Sequence, residues 1–223
     1  MHRNCPERTK RTLTKMLACL FMGLFSSGCG KDDDQTGQIL AALLLAQSSS
    51  SPTCATTGHC KMFVADNVST NTGISGLDNA CANSSNKPSG GTYKALVVDG
   101  TNRIACTTAN CSGGTSEHID WVLKPNKEYR RTDGSTVIGT TNSNGIFSFP
   151  ISNGVDEYNS GTFSITVSAL ESNWTSSTDD CTNFSLTSGD YGTSNFSETD
   201  TTFIDWATSS CTGSALHVVC VEQ

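Results

Sequence analysis

Three observations predict an α+β domain over residues 54–223. One segment has helical periodicity, several short runs have strand periodicity, and long polar stretches between them carry an even set of cysteines. The helix is expected over 74–83, where Ile74, Leu77 and Cys81 recur at i, i+3 and i+7 and so share one face. The best-marked strand closes the chain. In Leu216-His-Val-Val-Cys-Val-Glu222, Leu216, Val218 and Cys220 point one way and His217, Val219 and Val221 the other, as in a buried strand.

The remaining elements follow in order. Cys54 and Cys60 bracket a small loop, and Lys61-Met-Phe-Val-Ala65 is the first strand. A second runs over Thr92–Val98 and ends at the turn dipeptide Asp99-Gly100. Cys106 and Cys111 bracket another short loop, and Ile119-Asp-Trp-Val-Leu123 is an apolar knot. Thr132-Asp-Gly is a turn leading into a strand that ends at Ile138. Ile146–Phe149 and Phe163–Val167 alternate, the latter with Phe163, Ile165 and Val167 inward and Ser164 and Thr166 outward. Residues 172–205 are rich in Ser, Thr, Asn, Asp and Gly and read as long polar loops, with Trp174, Cys181 and Phe184 as anchors. Loops of that length are uncommon unless they are functional or cross-linked.

The first 53 residues read differently. Residues 1–15 carry Arg3, Arg8, Lys10, Arg11 and Lys15 against Glu7, Met16–Phe25 is apolar, and Ser26-Ser27-Gly28 precedes Cys29. A basic start, a short apolar run and small residues make a secretory signal over 1–28, too short for a membrane span. Small residues ending on a cysteine match a relaxed bacterial lipobox, so Cys29 is expected to be cut free and acylated; ordinary cleavage, with Cys29 free or paired, is the alternative. Residues 29–53 then form a lipidated tether whose apolar segment, Ile39–Ala46, cannot cross a bilayer. Removing residues 1–28 takes five of fourteen Lys/Arg and one of twenty-one Asp/Glu, leaving nine against twenty. Such an acidic body repels nucleic acid and anionic headgroups, so membrane attachment falls to the acyl chains.

Eight cysteines remain once Cys5 and Cys19 leave with the signal and Cys29 is acylated, an even count that in an exported chain argues for four disulfides. The short separations suggest Cys54–Cys60 and Cys106–Cys111. The other four nest as Cys81–Cys220 and Cys181–Cys211, clamping the helix to the final strand. The chain-entropy model assigns roughly 5 kcal/mol to the 139-residue closure.

This frame, with Ile146-Phe-Ser-Phe149, Cys181-Thr-Asn-Phe184, Tyr93-Lys-Ala-Leu96, Ile119-Asp-Trp-Val-Leu123 and Cys220-Val-Glu-Gln223, resembles C-type-lectin-like domains. Most closely it resembles the endostatin-like lipoproteins of leptospires. The resemblance implies a C-type-lectin-like (endostatin-like) fold with few helices, short mixed strands, long loops and nested disulfides. It also implies a surface-exposed outer-membrane lipoprotein that binds host laminin, fibronectin, plasminogen or complement factor H. Calcium-dependent sugar-binding relatives use Glu-Pro-Asn or Gln-Pro-Asp. Here Lys124-Pro125-Asn126 stands instead, and an ammonium cannot ligate calcium. His59, His118 and His217 are scattered, so neither a metal nor another cofactor is expected. Gly-x-Ser-x-Gly is absent, and Asp179-Asp180 and Asp32–Asp34 read as solvated surface, so no enzymatic activity is expected.

One local feature suggests ligand contact. Lys124, Lys127, Arg130 and Arg131 place four of the nine remaining basic residues within eight positions, beside Trp121 and Tyr129. They are the candidate contact for an acidic host surface. The function expected is therefore a non-enzymatic binding module for host matrix or complement proteins. A carbohydrate-binding protein, or a structural envelope lipoprotein without a host ligand, is the alternative.

Overall fold

The computed structural model describes Cys54 and residues 58–156, 165–211 and 216–223. The signal segment, Cys29, the tether, and the Phe163 and Ser164 positions lie outside the described residues.

Among the described residues, strands govern the fold far more than helix does. The strands are β1 (His59–Val68), β2 (Tyr93–Ala95), β3 (Glu128–Arg130), β4 (Val137–Thr140), β5 (Ile165–Val167), β6 (Asp190–Asn195), β7 (Ala207–Ser210) and β8 (Leu216–Glu222). They join in one mixed sheet of order β4-β3-β1-β8-β5-β6-β7, with β2 also paired to β8. β1–β3 and β5–β8 run parallel, and the other pairs are antiparallel. Against these eight strands the described residues hold one longer helix, α1 (Gly73–Asn83), a four-residue helical turn, Cys181–Phe184, and three 3-10 turns of three or four residues. The fold is β-rich, and the expectation of an α+β, C-type-lectin-like domain is overturned.

The error lies in strands that carry few apolar residues. β6 reads Asp-Tyr-Gly-Thr-Ser-Asn and lies inside the stretch expected to be loop, yet Thr193 and Ser194 are buried. β3 lies inside the basic stretch. Thr166, expected to point outward, is fully buried and hydrogen-bonds the Ser194 hydroxyl across β5–β6. β5 lies between β8 and β6, so its hydroxyl side chain is paired internally instead of solvated. Ile146–Phe149 forms no strand; only an isolated bridge joins Phe147 to Thr141. The strand expected over 92–98 shortens to β2.

β8 is the centre of the sheet. Val218 through Glu222 are all buried, with β1 along one edge and β2 and β5 along the other. Glu222, the one charge among them, accepts the Cys54 N–H at 3.2 Å and the Lys61 N–H at 2.9 Å, which ties the start of the domain to its end. The two-residue period then sorts side chains into two cores. Met62, Val64, Leu96, Val219 and Val221 join the aromatic group of Tyr129, Phe147, Trp174 and Phe203. Phe63, Ala65, Ala95, Val218 and Cys220 join α1 through Ile74, Leu77 and Cys81, together with Phe184 and Tyr191.

The four disulfides sort the same way. Cys54–Cys60 and Cys106–Cys111 close local loops in the aromatic core. Cys81–Cys220 and Cys181–Cys211, spanning 139 and 30 residues, lie in the helix-bearing core. These are the four pairs expected, two from short separation and two from nesting. Beside the Cys106–Cys111 loop, Glu117 accepts the backbone N–H groups of Thr107, Thr108 and Gly113 and the hydroxyls of both threonines. Those bonds, led by the Thr108 hydroxyl, pull its carboxyl down to about 2.

Candidate functional site

The most organised polar centre lies on the helix-bearing side of the sheet and is built around Arg103. It starts from the turn that Asp99-Gly100 marks in the sequence. Asp99 Oδ1 accepts the N–H groups of Thr101, Asn102 and Arg103 at 3.0, 2.7 and 2.9 Å, and Oδ2 accepts the Asn102 amide at 2.7 Å. Burial alone would raise the Asp99 pKa, but these donors outweigh it and hold the carboxyl below its usual range. The turn fixes the direction in which residue 103 leaves it. The Ile104–Ile119 bridge then sets Arg103 beside Asp120.

All the N–H donors of Arg103 are satisfied. Nε donates to Asp120 O at 3.0 Å and to Asp120 Oδ2 at 3.2 Å. Nη1 donates to Asp78 Oδ1 at 2.9 Å and Ala95 O at 2.8 Å, and Nη2 to Asp78 Oδ2 at 2.8 Å and Asp120 Oδ2 at 2.6 Å. The guanidinium side chain has no exposed surface, so a cation buried without partners would be costly here; paired with two carboxylates it becomes a rigid joint. Burial lowers the Arg103 pKa, but the Asp78 and Asp120 contacts reverse that and raise it overall. Asp120 is likewise held low: burial opposes, while the hydrogen bonds of Lys94 and Arg103 prevail. Asp78 also accepts the Ala95 N–H at 2.9 Å, so α1, β2 and the Asp99 turn meet at one point.

A cleft of about 370 Å³ opens over this joint, with Ile74 and Ser75 of α1, Asp78, Asn102, Asp120 and Asn183 among its lining. Two of these residues have left-handed backbones, Asp120 (φ 44°) and Asn183 (φ 56°). Asn183 belongs to the turn Cys181–Phe184, in which all four residues have positive φ. For non-glycine residues such a conformation costs roughly 1–2 kcal/mol each, so the surroundings must enforce it. The Cys181–Cys211 bridge anchors one end, and Phe184 is fully buried at the other. With its amide turned to donate, Asn183 reaches Asp99 O at 3.3 Å and Asp180 Oδ2 at 3.1 Å, coupling the strained turn to the Asp99 loop.

The candidate basic residues lie elsewhere, on and beside β3. The Lys124 N–H donates to the Tyr129 hydroxyl at 2.7 Å, and the Lys127 N–H to Thr141 Oγ1 at 2.9 Å. Arg130 bonds Glu128 at 2.6 Å and Gly134 O at 2.8 Å, and Arg131 Nε donates to Gly154 O at 2.9 Å. Arg131 also lines a second cleft, of about 280 Å³, beside Asp133 and Asp156. The two arginines therefore brace the β3–β4 end of the sheet, with carboxylates close by.

The described histidines do not assemble. His217 Nδ1 lies 2.7 Å from Asp66 Oδ1, and His118 packs near Trp121 and Cys111. Among the described residues no cluster of His, Cys, Asp and Glu has the arrangement of a metal site. None of the described helices is long and apolar enough to cross a membrane.

Arg103, Asp78, Asp120 and Asn183 escaped the sequence reading. The one usable signal was Arg103 itself, the only basic residue between Lys94 and Lys124, set one position before the apolar Ile104-Ala105 and next to an Asp-Gly turn. Comparison with curated proteins returns no match. The model of a family described as protein of unknown function (DUF1554) matches residues 64–200, a span holding the whole cleft but neither β7 nor β8. The chain belongs to the DUF1554 family.

Proposed function

We propose that this chain is an exported bacterial lipoprotein, anchored in the outer membrane through Cys29 and exposed at the surface, that acts as a non-enzymatic binding module for host matrix or complement proteins. The signal and lipobox pattern of residues 1–29 and the resemblance to leptospiral endostatin-like lipoproteins support the location and the partner class. Laminin, fibronectin, plasminogen and factor H are the partners to test.

The observation that carries the binding reading is the Arg103 joint. A guanidinium with every donor satisfied holds the cleft's carboxylates in fixed positions. Acceptors and amides fixed before the partner arrives lose little freedom on binding, which favours recognition. A partner offering ammonium, guanidinium or hydroxyl groups suits Asp78, Asp120, Asn102 and Asn183.

The test is surface plasmon resonance of the full-length chain against the four immobilised host proteins, beside the cleft-filling variant Ser75→Trp. Ser75 is exposed on α1, so the change fills the cleft without entering the core. Binding to at least one partner, weakened tenfold or more by Ser75→Trp, is expected. Binding to none, or binding that the variant leaves unchanged, contradicts the cleft. Glycan binding without protein binding would move the assignment to carbohydrate. A second variant, with Lys124, Lys127, Arg130 and Arg131 all changed to Ala, measures their contact with heparin; unchanged heparin binding removes those residues from the account.

A further inference from the structure

The two ends of the sheet are finished differently. Along β4, the Ser152 and Asn153 N–H groups both donate to Ile138 O, at 2.8 and 3.3 Å, and Asn153 Nδ2 donates to Val137 O at 2.7 Å. That loop covers the β4 edge. β7 forms the opposite edge, and all four of its residues are exposed.

Proteins protect such edges with a charged side chain, a proline, a bulge or a covering segment, because unpaired N–H and C=O groups form a template for another strand. β7 has none of the first three. Its sequence is Ala-Thr-Ser-Ser, and its register with β6 is regular from Asp190↔Ser210 to Thr193↔Ala207. Among the described residues its strand pairing is to β6 alone.

The ends of β7 add chemistry to the edge. Trp206, 49% exposed, stands just before it, with its backbone N–H donating to Thr193 O at 2.8 Å. Asp205 precedes Trp206, with Glu171 close enough to raise its pKa further after burial has done so. At the far end, Asp190 lies opposite Ser210, whose hydroxyl donates to it at 3.2 Å. At about 3.3 Å per residue, the two acidic ends stand roughly 17 Å apart along the strand.

We propose that the outer edge of β7 is a strand-addition site for an extended basic segment of a partner protein. Main-chain ladder bonds supply affinity, an apolar side chain covers Trp206, and Lys or Arg residues about five positions apart meet the carboxylates at either end. A second copy of this chain fits less well, since each copy carries a formal net charge of −7 and would bring like-charged ends together. The proposal does not rest on the cleft, which lies against α1.

The experiment uses the full-length chain and two synthetic hexapeptides, Lys-Thr-Val-Thr-Val-Lys and its counterpart with Glu at both ends, followed by titration calorimetry up to about 1 mM. The lysine peptide is expected to bind at least tenfold more tightly than the glutamate peptide and to weaken with salt. A charge placed on the edge by Thr208→Lys, or separately by Ser210→Lys, should weaken it at least tenfold with the near-UV spectrum unchanged. Ser75→Trp should leave it unaltered, which separates this site from the cleft. No binding, equal binding of both peptides, or binding insensitive to both edge variants overturns the proposal. So does concentration-dependent dimerisation that the edge variants abolish, which would assign the edge to a second copy.

Discussion

The two faces of the central sheet are closed by different means. One is packed with aromatic rings: Trp174 stacks on Phe149 and meets Phe147 and Trp121, while Phe203 meets Phe147 edge-on. Its two disulfides, Cys54–Cys60 and Cys106–Cys111, close loops of only six and five residues. The other face has one helix, a strained left-handed turn and a polar joint, and it is held by the 139- and 30-residue closures. On that face aromatic burial supplies the cohesion and the cross-links close only local loops. A face that must keep a buried cation, four left-handed residues and an open cleft in place has less apolar contact, and long cross-links offset that deficit by restricting the unfolded chain. The long-range cross-links thus lie on the irregular side of the molecule, the side that holds the cleft.

This contrast yields graded expectations. Replacing Cys81 and Cys220 together by Ala should cost about 5 kcal/mol in urea unfolding, against about 2 kcal/mol for the Cys106/Cys111 pair. Equal losses would mean that loop length is not what distinguishes the faces. A smaller effect of opposite sign is expected at the strained turn. Thr182 is β-branched with φ 56°, and Thr182→Gly should stabilise by about 1 kcal/mol, raising Tm by roughly 2–4 °C. A lowered Tm would show that the turn is not under strain.

The smallest effect concerns acid. Asp99 and Asp120 both have folded pKa values below the ordinary carboxylate value. Their contribution to stability is complete above about pH 4 and is lost as pH falls through the lower folded values. Asp99→Asn should flatten the acid limb of a urea-midpoint series between pH 2 and 7. An unchanged limb would place the acid sensitivity elsewhere.

The sequence made visible what apolar periodicity and covalent spacing encode. α1 shows through Ile74, Leu77 and Cys81, β1 through the apolar run Met62–Ala65, β8 through alternating apolar residues, and the four disulfides through separation and nesting. Fold class was misread because β3, β6 and β7 carry almost no apolar pattern. Tyr191 is the sole large apolar residue of β6, and its burial is completed by hydroxyl pairs such as Thr166–Ser194 and by the Thr193 hydroxyl donating to Ala207 O. Such partners are set by tertiary pairing, which no local pattern announces. The cleft was hidden for the same reason: Asp78, Arg103, Asp120 and Asn183 come from four separated segments and acquire meaning only at contact. The basic run at 124–131 was conspicuous in sequence, yet its two arginines are engaged in bracing the sheet.

The most direct test is hydrogen–deuterium exchange of the full-length chain with and without Cys181 and Cys211, both replaced by Ala. Protection should fall in 181–195 and 73–83, which adjoin the released turn and the cleft. Residues 137–147, on the aromatic face, should keep theirs. Protection lost evenly across both sets would contradict a division of labour between the faces.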